Sequence, residues 1–151
     1  MKIYKTLILL LISFNSLATE DFFYLKISNG EKIKITTNDL EKMPLNDITT
    51  STNFTERSTF SGVRLSYLIK KHHISSASIR VFAWDDYSYT IPVDEILKYK
   101  VIIAFKKNGS YMPISDLGPY AIIYPRDDNP ELINLDVNAR TVWQIKEILA
   151  K

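Results

Sequence analysis

Residues 101–105 read Val-Ile-Ile-Ala-Phe, an apolar run without a single polar position. Successive side chains of a strand point to opposite faces, so such a run needs both of its faces covered. Residues 120–124, Tyr-Ala-Ile-Ile-Tyr, repeat the pattern. Two segments of this kind predict interior strands with further layers packed against them. The rest of the chain supplies short elements for those layers. Residues 22–27 and 31–36 flank Ser28-Asn29-Gly30, and the second run alternates Lys32-Ile33-Lys34-Ile35, which predicts a hairpin. Residues 78–83 and 87–91 read as two more strands with Asp85-Asp86 at their junction, and the alternation over 142–148 predicts a last strand. Three short helices are expected. One covers 39–43, with Thr37 or Asn38 as N-cap and Pro44 as its stop. A second carries Leu65, Leu68 and Ile69 on one face and ends at His72-His73; Pro92 opens the third over 93–99. Residues 48–61 are polar and β-branched, without helical period, and read as a strand running into a long loop. The fold class is α+β, strand-rich, with mixed pairing.

The first residues have a separate reading. Lys2 and Lys5 precede the apolar stretch 6–12, and Ser16-Leu17-Ala18 offers small residues for a peptidase, so 1–18 is expected to be a secretory signal peptide. It is too short to span a bilayer. The mature chain, residues 19–151, is then expected to be one periplasmic domain without membrane insertion. Removing 1–18 takes away two of the 19 basic residues and none of the 17 acidic ones, leaving a formal charge near zero. That balance argues against nucleic acid as a partner. The chain has no cysteine, which excludes thiolate chemistry, disulfides and cysteine-held metals.

Several short segments, in order, carry a family resemblance. They are Phe60-Ser61-Gly62-Val63-Arg64-Leu65 with Tyr67-Leu68-Ile69, then Asp85-Asp86-Tyr87 with Ile91-Pro92, and then the apolar strand 101–105 with Asn108-Gly109 and Met112. Asp116-Leu117-Gly118-Pro119-Tyr120 with Tyr124-Pro125 follows, and Arg140-Thr141-Val142-Trp143-Gln144 closes the series. Together they resemble the sulfite-oxidase-type molybdopterin domain, over about residues 45–149. The resemblance implies a strand-rich mixed-sheet fold that cradles a pterin cofactor. Enzymes of the family also hold molybdenum through a cysteine upstream of the Phe60 motif, where this chain offers Thr50, Ser51, Thr52 and Asn53. A hydroxyl is a poor replacement for a soft thiolate. The chain therefore looks like the small pterin-binding regulators of this kind rather than an enzyme. They are implied to bind a reduced monapterin- or neopterin-like pterin without molybdenum. The partner so implied is the periplasmic domain of a membrane-bound cyclic-di-GMP enzyme or sensor kinase. Two other readings stay open: an oxidoreductase using Ser51 or Thr52 as metal ligand, and an adaptor module with a vestigial pocket.

Asp86 is the first candidate for the ligand site, because one carboxylate can accept two neighbouring N–H donors of a pterin edge. Alternation puts only one of Asp85 and Asp86 inward, and Asp85 is assigned to the turn. Trp84, Tyr87 and Trp143 are candidates for a stacking wall, whereas Tyr89 is expected in the core. Arg140 and Arg64 are candidates for a phosphate or polar tail. Asp116, Leu117 and Gly118 form a loop in which glycine would let backbone approach the ligand. Thr52 and Asn53 complete the set from the loop that lacks cysteine. His72 and His73, neighbours on a helix, diverge too far to chelate, and 127–131 is expected to be a solvated acidic turn.

Overall fold

The computed structural model describes residues 19–150, so the expected signal segment 1–18 lies outside the described residues. The elements in chain order are β1 (Phe22–Lys26), β2 (Lys32–Thr36), α1 (Thr37–Glu41), β3 (Leu45–Thr50), β4 (Ser58–Arg64), α2 (Leu65–Lys71), β5 (Ser78–Ala83) and β6 (Ser88–Pro92). They continue with α3 (Val93–Tyr99), β7 (Ile102–Lys107), β8 (Ser110–Tyr111), β9 (Ala121–Ile123), α4 (Leu135–Arg140) and β10 (Ile145–Ala150). One sheet has the order β2-β1-β10-β5-β6; the other runs β3-β4-β7-β8, with β9 also paired to β7. Only β1 and β10 pair in parallel, so the first sheet is mixed, while every pairing of the second is antiparallel. No helix among the described residues is long and apolar enough to cross a membrane.

The continuous run at β7 has a simple cause. Ile103 and Phe105 face the main core, with Phe23, Leu25, Val81, Ile122 and Ile148. Ile102 and Ala104 face a second, smaller core formed with Phe60, Met112, Leu117, Ala121 and Ile123. Both faces of β7 are therefore dry, and each fully buried Ile or Phe contributes about 1.5–3 kcal/mol of hydrophobic stabilisation.

Local chemistry moves several boundaries. Thr36, not Thr37 or Asn38, caps α1: its hydroxyl accepts from Asp39 N, and its own N–H donates to the Asp39 carboxylate. The Thr37 hydroxyl is instead bonded to Tyr120 Oη at 2.7 Å. The expected long loop over 48–61 is largely a hairpin, because β3 and β4 pair from Leu45↔Val63 to Thr50↔Ser58. Only 51–57 connects them. A fourth helix, α4, adds to the three expected. Asn134 caps it by accepting from Val137 N, and Val137 alone is buried, so the segment carries no apolar period to read. The last strand begins three residues later than expected. Val142 and Trp143 still belong to the β9 side, through Ile122 N to Val142 O and an Ala121–Trp143 bridge. Gln144, at φ 51°, then kinks the chain across to the first sheet.

Candidate functional site

That crossover sets one wall of a cleft of about 310 Å³, near the lower end of the roughly 300–1,000 Å³ usual for small-molecule sites. Four pieces of chain line it: Ala83, Asp85 and Tyr87 of the β5–β6 hairpin, Asn138, Ala139 and Thr141 at the end of α4, Trp143 of the crossover, and Asn53 and Phe54 of the β3–β4 loop.

The hairpin decides which carboxylate enters. Ala83 N donates to Tyr87 O at 2.8 Å, and Asp86 N donates to Ala83 O at 3.2 Å. This leaves a three-residue loop whose closing residue, Asp86, is left-handed at φ 69°. The left-handed turn directs the Asp86 side chain outward, where it is 89% exposed and ion-paired with Lys146 of β10. The hydrogen bond from Lys146 holds its carboxyl below the ordinary carboxylate value. Asp85 lies in the cleft instead. Its Oδ1 accepts from Tyr87 N at 3.0 Å, and its Oδ2 has no protein donor among the described residues. The positions expected of the pair are thus exchanged: Asp85, itself exposed, borders the cleft, and Asp86 points away from it.

The aromatic wall is also partly reassigned. Trp143 packs edge-on against Phe54, ring centroids 5.6 Å apart, while resting on the second core. Tyr87 Oη donates to Ala139 O at 2.7 Å, joining the hairpin to α4, and burial pushes its pKa upward so that it remains a donor. Trp84 stands at the hairpin tip, 57% exposed and outside the cleft. Tyr89 packs against the main core. Asn138 lines the cleft, while its Oδ1 is out of reach of solvent and accepts no hydrogen bond among the described residues.

The remaining candidates lie elsewhere or serve the fold. Arg140 donates to Glu95 at 2.6 Å, and Tyr124 Oη donates to the other oxygen of Glu95 at 2.7 Å. Burial, then Glu95, pushes the Tyr124 hydroxyl strongly upward. This network ties α4 to α3 and β9. Arg64 lines a separate groove with Asn46 and Lys70. Asp116 pairs with Lys107 at 2.8 Å, and Leu117 is buried in the second core. Gly118 answers to the chain itself rather than to a ligand, because a Cβ there would lie 1.9 Å from Met112 O. Thr52 Oγ1 accepts from Phe54 N and Thr55 N, shaping the loop that presents Asn53 and Phe54. Asp127, expected in a solvated turn, anchors that loop by accepting from Ser51 N, Ser51 Oγ and Arg57. The Ser51 hydroxyl bond is the main cause of its lowered carboxyl pKa.

Phe54 and Asn138 were not legible as site residues. Phe54 is the one aromatic between Thr50 and Thr59, which is a weak signal; Asn138 gives none. His72 and His73 lie on a different cleft, of about 420 Å³, at the Ala150 end of β10. That end is opposite Ile145, which pairs with Ala83 beside the first cleft. No cluster of three His, Asp or Glu side chains among the described residues is placed to hold a metal ion.

No known family profile matches the chain, and no curated protein matches it. Among solved structures, it is similar to the sulfane dehydrogenase SoxCD from Paracoccus pantotrophus, with a TM-score of 0.65 and 12% identity. The match covers 85% of this chain and 37% of that one, so the chain spans little more than a third of its neighbour's length. At this identity the likeness speaks to the fold, which is the strand-rich, mixed-sheet α+β fold of sulfite-oxidase type.

Proposed function

We propose that the chain is a periplasmic receptor for a reduced pterin, of monapterin or neopterin type, rather than an enzyme. The observation that carries this reading is the pairing of an acceptor with aromatic rings. The exposed Asp85 carboxylate keeps one oxygen, Oδ2, without a protein donor among the described residues, and Trp143, Phe54 and Tyr87 line the same cleft. A pterin is planar and presents a row of ring N–H and amine donors, which matches both features. Molybdenum fits the chain poorly. Ser51 Oγ already donates to Asp127, Thr52 Oγ1 holds two backbone amides, and neither residue lines the cleft. Occupancy would be conveyed to a protein partner, for which the family resemblance suggests the periplasmic domain of a membrane-bound cyclic-di-GMP enzyme or a sensor kinase.

Two isosteric variants test the site. Asp85→Asn keeps the Oδ1 acceptor that closes the hairpin but removes the charge-assisted contact, so affinity for tetrahydroneopterin should fall about tenfold. Asp86→Asn should leave affinity within about twofold, since that side chain points to solvent. Calorimetric titration of both variants and the parent decides it; equal losses, or a loss at Asp86 alone, would overturn the assignment.

A further inference from the structure

Building on the reading of this cleft as a pterin site, we infer that it selects the unphosphorylated pterin and rejects pterin phosphates and other phosphate-bearing heterocycles. Among the described residues, none that lines the cleft carries a positive charge, and the one formal charge there is the Asp85 carboxylate. The cations nearest to its lining residues in sequence are committed elsewhere: Arg140 to Glu95, Arg57 to Asp127, Lys146 to Asp86, and Arg80 to the Ser88 and Thr90 hydroxyls. The sequence had suggested Arg140 and Arg64 for a phosphate; the first faces α3 and the second lies on another groove. The helix that meets the cleft presents its last turn, Asn138 to Thr141, the negative end of its dipole. The carbonyls there are taken up by Tyr87 Oη, Thr141 N and Val142 N, and this end offers no free N–H groups to an anion. The one formal charge on the cleft, the Asp85 carboxylate, therefore favours an uncharged ligand with N–H donors and disfavours an anion. Phosphate sites are built in the opposite way, from cationic side chains and free backbone N–H groups.

The test compares tetrahydroneopterin with its phosphate monoester by anaerobic calorimetric titration of the purified protein. The free pterin should bind at least about tenfold more tightly at low salt, the size expected of one unscreened like-charge contact, and the gap should narrow as salt is raised. An Asn53→Lys variant, which adds a cation to the exposed loop wall, should close the gap by recovering the phosphate ester. Phosphate ester bound as tightly as the free pterin, or more tightly, would overturn the selectivity and leave the pterin site standing. Failure of both ligands to bind would overturn the pterin reading and the selectivity with it.

Discussion

Gly62→Ala should destabilise the protein by about 3 kcal/mol or more, read as a lowered midpoint in urea denaturation. Gly62 lies in β4 opposite Ala104 of β7, beside a register shift. A Cβ at this position would sit 2.0 Å from Ile103 O, 2.6 Å from Ala104 Cα and 2.7 Å from Ile103 C. All three atoms are backbone of the strand that separates the two cores, so no side chain can turn aside to make room. The strands must part, and the packing on both faces of β7 loosens with them. A loss below about 1 kcal/mol would mean that β4 and β7 can part at Gly62 without disturbing either core.

The second large effect is expected at Glu95. Its two oxygens take one bond each from Tyr124 and Arg140, and the Glu95 and Arg140 side chains are 18% and 19% exposed. Glu95→Ala leaves a mostly buried guanidinium without its counter-ion, and Arg140 Nε already lacks a partner. It also leaves the Tyr124 hydroxyl without an acceptor. Removing one partner of such a pair costs about 3 kcal/mol or more, and the ionic strength of the medium should alter that cost little. Ala139 and Thr141 flank Arg140 and line the cleft, so ligand affinity should fall along with stability. Glu95→Gln, which keeps an acceptor for Tyr124, should recover part of the stability. Denaturation and binding measured on the same two variants would reveal whether the network anchors the cleft wall; stability lost with affinity intact would separate the two roles.

How much of this was written in the sequence depends on how local the cause is. The VIIAF and YAIIY runs gave the two interior strands directly, because burial on both faces leaves a mark at every position. Helices α2 and α3 were equally open to reading, through an apolar period in one and a leading Pro92 in the other. The carboxylate pair was not. Which aspartate enters the cleft depends on a three-residue hairpin closed by a left-handed residue, and that position more often carries glycine or asparagine. Asp86 at φ 69° hides the turn from a reader who expects alternation to continue. Arg140 was misread for a different reason: its partner Glu95 lies 45 residues away, and nothing in either segment announces the pairing. The loop over 51–57 owes its place to Asp127, 76 residues beyond Ser51. Long-range polar contacts of this kind decide the cleft, and they are invisible to periodicity.

The central claim is that a planar, donor-rich ring binds between the β5–β6 hairpin, α4 and the Phe54 loop. Backbone amide shifts recorded by NMR while tetrahydroneopterin is added test it most directly. Saturable shifts are expected at Asn53, Phe54, Asp85, Tyr87, Asn138 and Trp143, with the amides of His72, His73 and Arg64 unmoved. No saturable shifts, or shifts centred on the His72–His73 cleft, would contradict it.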